Sequence, residues 1–212
     1  LAHALSGKKN LSDAEKQTLP RLAQLAIVEA RNAVLLYRTN VVNWDNLGRT
    51  YAGLTNFAAG SENWAIQSFE QRLILDPLNP QARLALGAFY LSLRQQDNAQ
   101  NLIRQAIALK QDYANAHYYL AALLNSEKKY KDAYKELQIT VAFLPPDSED
   151  SKKVVSEMNE IAKLLPESDI GGEIPQGKSE EPQQLEPVSS SSGAIQSNPP
   201  SVPTISVPEP PR

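Results

Sequence analysis

Apolar residues recur at helical spacing in short bursts, and the bursts come in pairs. Leu84, Leu86, Tyr90 and Leu93 predict one helix over residues 80–93. Ile103, Ala106, Ile107 and Leu109 predict a second over 97–109, with Asp97 placed to cap it. The pair then repeats: Leu86, Gly87, Ala99, Ile103 and Ala106 return 34 residues later as Leu120, Ala121, Ala133, Leu137 and Thr140. Going backwards, Leu47, Gly48 and Tyr51 precede Leu86, Gly87 and Tyr90 by 39 residues, whereas Ala65 and Phe69 precede Ala99 and Ile103 by 34. The first copy therefore carries five extra residues between Leu54 and Trp64, where "TNFAAGSEN" has the composition of a loop. Pro77 and Pro145 stand 68 residues apart, each ending an apolar-periodic segment on a residue that cannot continue a helix. The small residues at 48, 87 and 121 let the two helices of a pair approach closely, and the alanines at 65, 99 and 133 do the same from the other side.

The flanks follow the same frame. Residues 20–38, "PRLAQLAIVEARNAVLLYR", predict the second helix of an earlier unit, with Ala26, Ala30 and Ala33 at its small positions and Pro20 in its first turn. Ser12 and Glu15 suit an earlier capping box. Leu1–Leu5 read as the stump of that unit's first helix, with "SGKKNLSD" as the loop between. At the other end, Val154, Val155, Met158, Ile161, Leu164 and Leu165 share one side of a capping helix over about residues 148–165. Its Glu149 and Asp150 suit the positive end of the helix dipole.

Composition then changes the picture in one place. Ten of the 15 prolines lie at or after Pro166. From Glu167 onward there are seven acids and two bases, a net of −5 in a chain whose total is −3. Such a segment cannot bury enough apolar surface to offset an ordering cost of about 1–2 kcal/mol per residue, so a disordered, extended tail is expected. The front part carries +2, which is no basic footprint for nucleic acid. With no cysteine there is neither a disulfide nor a thiolate metal site. No apolar run approaches the roughly 18 residues that span a bilayer. The chain begins at Leu1 and its only methionine is Met158, so a longer or processed parent, with a possible membrane tether upstream, is expected. The compartment stays open.

Candidate chemistry is sparse. Gly172 to Ser179 spell G-x4-G-K-S, but that pattern needs a strand before it and a helix after it to aim backbone N–H groups at phosphate. Here it follows the capping helix, Pro175 removes one N–H, and Glu173, Glu180 and Glu181 repel an anion. The two histidines, His3 and His117, are too few for most acid–base or metal constellations, and His117 is assigned to packing. Lys128, Lys129, Lys131 and Lys135 read as a solvated turn and helix face, Asn10-Leu11-Ser12 as a chance glycosylation spelling, and Trp64 as packing for the enlarged loop. The expectation is no catalytic residue, no metal, no cofactor and no enzyme activity.

A unit of about 34 residues reading W-x2-L-G-x2-Y, then A-x3-F, then P resembles the tetratricopeptide repeat. The first copy supplies Trp44, Leu47, Gly48, Tyr51, Ala65, Phe69 and Pro77, with Arg72 where a small residue is usual. The second puts Arg83 for Trp, Ile103 for Phe and Gln111 for Pro; the third has His117, Leu120, Ala121, Leu124, Ala133, Leu137, Thr140 and Pro145. The resemblance implies an all-α, right-handed solenoid of antiparallel helix pairs with a C-terminal capping helix and a disordered tail. Its divisions would be an incomplete first repeat at 1–40, repeats at 41–78, 79–112 and 113–146, a capping helix at 147–166 and the tail at 167–212. It further implies a concave groove lined by first helices: Asp45, Arg49 and Ala52; Gln81, Leu84, Ala88 and Leu91; Asn115, Tyr118, Ala122 and Asn125. The implied function is a non-catalytic protein–protein interaction module that binds a peptide or partner helix there. The groove lacks the bases and aromatics that RNA recognition needs. It also lacks the Lys, Asn and Arg set of the family's carboxylate clamp, since Asp45 and Leu84 stand where bases would be useful. More loosely, "VVNWDNLG", the long loop before "NWAIQSFEQ", "YANAHYYLAALL" and "PPDSED" are similar to the soluble C-terminal repeat domain of some bacterial O-antigen ligase-like membrane proteins. On that alternative the chain is an appended domain of a multi-pass protein, with no membrane insertion of its own and catalysis outside it.

Overall fold

The computed structural model describes residues 13–55 and 57–170, with side chains from Thr18 onward. Leu1–Leu5, His3, the glycosylation spelling, the phosphate-loop spelling and nearly all of the proline-rich tail lie outside the described residues. Among the described residues there are eight α-helices and no strand: α1 (Asp13–Leu36), α2 (Val41–Ala52), α3 (Ser61–Leu75), α4 (Pro80–Ser92), α5 (Gln96–Leu109), α6 (Ala114–Ser126), α7 (Tyr130–Phe143) and α8 (Glu149–Ala162). A 3-10 turn, Glu167–Asp169, follows. The helices fall into two compact units, α1–α3 up to Pro77 and α4–α8 from Leu78.

Three helical hairpins carry the frame: α2 with α3, α4 with α5, and α6 with α7. Each closes on small residues. Ala65, Ala99 and Ala133 are fully buried. A Cβ at Gly48 would lie 2.8 Å from the Phe69 ring, and one at Gly87 would lie 3.1 Å from Ile103 and 3.3 Å from the Ala99 carbonyl. Glycine is thus required by close approach rather than by backbone torsion. Between hairpins, a second helix packs on the next first helix: α1 on α2, α5 on α6, and α7 on α8.

A side-chain latch marks the start of two hairpins. Trp44 Nε1 donates to the Arg38 carbonyl at 2.7 Å. His117, at the same repeat position, places Nε2 2.9 Å from the Gln111 carbonyl. Both acceptors lie six residues upstream, so each ring ties its helix to the loop that delivers it.

Two local expectations are corrected. α1 starts at Asp13, so Pro20 sits inside the helix, where it forgoes one backbone hydrogen bond, rather than in the first turn. Its buried row is Leu19, Ala23, Ile27 and Val34, while Ala26 is exposed and Ala30 and Ala33 are half-buried. Asp97 does not cap α5. The cap position is Gln95, without a side-chain hydrogen bond, and Asp97 lies in the first turn, where its charge suits the dipole. α8 is capped by Ser148, whose hydroxyl accepts from Ser151 N at 3.1 Å, ahead of Glu149 and Asp150.

Candidate functional site

In the first unit, α2 turns Trp44, Leu47, Gly48 and Tyr51 inward. Burial pushes the Tyr51 hydroxyl up to about 12 against the opposing pull of Arg31, so it stays neutral. The opposite side carries the predicted Asp45, Arg49 and Ala52. Asp45 is not open to a ligand. One carboxylate oxygen accepts from Arg49 Nε at 2.8 Å and the other from Arg72 on α3. Arg72, at a position that usually holds a small residue, is buried, and the acid on the facing helix is what makes that tolerable. Arg49 remains 63 % exposed, and Ala52 is half-buried.

In the second unit, the predicted positions separate by exposure. Gln81, Asn115, Ala122 and Asn125 are exposed; Ala88, Leu91 and Tyr118 are half-buried. Leu84 is a correction: at 5 % exposure it belongs to the core. α4 packs along α5 and also touches α6, which leaves only a narrow strip bare through Gln81, Ala88 and Leu91. Tyr118 is engaged as well. Its hydroxyl donates to Glu157 Oε1 of α8 at 3.0 Å, and Lys153 Nζ stands 5.5 Å from its ring centroid. Burial raises the Tyr118 hydroxyl's pKa, and the Glu157 hydrogen bond adds to it. Glu157 and Lys153 were absent from the sequence-based lining. Extending the 34-residue frame into α8 places Lys152 at the Tyr118 position, but Lys152 pairs with Glu149, so repeat spacing carries no signal for this cluster.

The polar groups beneath the strip are internal. Arg83 Nε donates to Gln105 Oε1 at 3.0 Å, and Gln105 donates to Asn101 Oδ1 at 2.9 Å. Burial lowers the Arg83 pKa. His117 Nδ1 lies 2.7 Å from Glu136 Oε2. Burial alone would lower the imidazole's pKa, but the Glu136 hydrogen bond, the Gln111 carbonyl and the Glu136 charge outweigh it and raise it. Of the lysines read as a solvated face, Lys129 pairs with Glu127 at 2.8 Å and Lys131 with Asp169 at 2.6 Å. Among the described residues no group of three or more His, Cys, Asp or Glu is placed to hold a metal ion. No described helix is long and apolar enough to cross a membrane. What the site offers is amide, alanine and leucine surface: hydrogen bonding and van der Waals contact.

Solved structures share the fold of paired helices. A thermophilic TPR protein of Thermus thermophilus aligns over 77 % of this chain and 88 % of its own, with a TM-score of 0.59 at 20 % identity. The fold is that of the tetratricopeptide repeats. MamA aligns over 76 % of this chain and 90 % of its own, with a TM-score of 0.55 at 22 % identity. The first TPR of Spaghetti (RPAP3), bound to the HSP90 peptide SRMEEVD, covers 59 % of this chain and 92 % of its own, with a TM-score of 0.51 at 20 % identity. Among curated proteins, tetratricopeptide repeat protein 7B of Mus musculus is 33 % identical over 105 residues, and that of Homo sapiens 32 %. The match takes in 47 % of this chain and 12 % of either relative, so the chain spans about an eighth of their length. No family model matches the chain. The resemblance to O-antigen ligase-like proteins finds no counterpart among these relatives.

Proposed function

We propose that the chain is a protein-interaction module and that the bare strip on α4 and α6 receives an extended peptide. One observation carries this reading. The side-chain amides of Gln81, Asn115 and Asn125 are exposed and make no hydrogen bond among the described residues, while alanines 88 and 122 and Leu91 stand between them. Amides in such a row pair with a peptide backbone, and the small side chains between them leave depth for its side chains. The tetratricopeptide fold, and the HSP90 peptide held by one structural neighbour, support the same reading. In the first unit, taken by itself, Arg49 presents an exposed guanidinium and Asp45 is already paired within the protein.

The test is selection of peptides from a random display library on the full chain, followed by titration of the winners. Ala122→Arg fills the strip at an exposed helical position and is expected to weaken binding at least tenfold, about 1.4 kcal/mol. Lys135→Ala, on the exposed side of α7, leaves it unchanged. Peptides that bind the Ala122→Arg protein as well as the parent sink the assignment.

A further inference from the structure

In the second unit, first helices also meet one another, and the repeat frame lets the two meetings be compared residue by residue. Between α6 and α8, Tyr118 donates to Glu157 Oε1 at 3.0 Å, and Lys153 Nζ stands 5.5 Å from the Tyr118 ring. Thirty-four residues earlier, where α4 touches α6, the same two positions hold Leu84 and Leu123. Both leucines are buried, Leu123 completely. Tyr118 is only half-buried and the Glu157 side chain is 42 % exposed. One seam is apolar and closed to water; the other is polar and reached by it.

The two seams resist separation differently. Parting the leucine positions returns apolar surface to water, which is opposed in proportion to the area exposed. Parting Tyr118 from Glu157 exchanges one hydrogen bond for hydrogen bonds to water, at a small net cost. Lys153 adds little, because solvent screens an exposed ammonium. On its other side α8 packs on α7, and the 3-10 turn that follows it returns to α7 through Asp169, 2.6 Å from Lys131 Nζ. We propose that α8 is a hinged strap, which opens along its α6 seam while α7 keeps hold of it. Opening bares the ring and hydroxyl of Tyr118, one turn from Ala122. That consequence matters to a ligand only if the strip on α4 and α6 is a binding site. The opening itself is a property of the free chain and does not rest on that reading.

Amide hydrogen exchange on the full chain, without any ligand, resolves the helices one by one. In the parent, α8 is expected to exchange at least about tenfold faster than α6 and α7. Helix ends fray whatever packs on them, so the deciding variant is Tyr118→Leu combined with Glu157→Leu. It gives the α6–α8 seam the pair of residues already present 34 positions earlier. The double variant is expected to slow exchange in α8 about tenfold and to leave α6 and α7 within about twofold of the parent. Tyr118→Phe keeps the ring, removes the hydrogen bond and should speed α8 by about threefold. Three outcomes overturn the strap: α6, α7 and α8 exchanging at one common rate in the parent, the leucine pair leaving α8 unchanged, or the leucine pair slowing all three helices together. Should the double variant fail to fold, Tyr118→Phe decides alone, and an unchanged α8 rate overturns the strap. Peptide binding that survives Ala122→Arg refutes the strip and leaves these exchange rates as they are, which keeps the two proposals separable.

Discussion

The hairpins of Trp44 and His117 perform one task with different chemistry. Each ring is buried at the same position of the repeat and each bonds to the carbonyl six residues before it. The indole has a single N–H and no titration. The imidazole faces an acceptor on both sides, the Gln111 carbonyl and the Glu136 carboxylate, so satisfying both requires the doubly protonated cation. The repeat frame specifies a flat side chain with a donor, not a residue. One latch is thereby indifferent to pH and the other is not.

The widest split between the two hairpins comes from truncation. Trp44→Ala removes a large side chain that is 3 % exposed together with its latch, and should cost about 3–5 kcal/mol. The chain's other tryptophan, Trp64, lies in the same unit, so its fluorescence during urea unfolding reads the loss directly. His117→Ala forfeits less apolar area and charge-assisted hydrogen bonds, about 2 kcal/mol. Amide exchange along α6 measures it in the second unit, which has no tryptophan.

A pH series sharpens the same contrast. The His117 pKa is raised in the folded protein, so its contribution is complete below the unfolded value near 6.5 and is lost as pH rises through the folded value. The difference in stability between the parent and His117→Gln should shrink as pH climbs from about 6 through that range. The difference between the parent and Trp44→Ala should stay flat. An imidazole titration by NMR, with His3→Gln to leave a single histidine, should show a midpoint above 6.5. A midpoint at or below 6.5 would mean that burial outweighs Glu136, and would remove the contrast.

Much of this was readable in the chain before any coordinates. Spacing of 34 and 39 residues placed the helices, because close approach at Gly48, Gly87 and Ala121 leaves a repeating mark on residue size. The candidate site was less legible. Exposure on a helix depends on how many neighbours surround it, which no single-helix pattern records; Leu84 looked like lining and is core. Pairing across helices is hidden for the same reason. Arg72 appeared as an oddity in the frame, and only the facing Asp45 explains it. Asp45→Asn should cost about 1–2 kcal/mol, less than a fully buried pair because the acid side chain is 18 % exposed. Double substitution with Arg72→Ala should recover most of that, since the buried charge goes with its partner.

The smallest effects sharpen a second difference between the hairpins, in how they turn. Residues 93–95 and 127–129 make three-residue turns, with Gln95 N reaching the Tyr90 carbonyl at 3.0 Å and Lys129 N the Leu124 carbonyl at 2.9 Å. That geometry needs a left-handed residue, supplied by Arg94 at φ 59° and Lys128 at φ 62°. The first hairpin connects over residues 53–60 and enters α3 through Gly60, at φ 76°. The same torsion is therefore held by a suitable residue once and by unsuitable ones twice. Lys128→Gly should raise stability by about 0.5–1 kcal/mol, because relief of side-chain strain in the left-handed region exceeds the added entropy of the unfolded chain. Gly60→Ala should lower it by about 1 kcal/mol, although no atom lies within 4 Å of the new Cβ. Thermal unfolding of both variants gives the signs. Two shifts in the same direction would mean that loop packing, not backbone torsion, controls these positions.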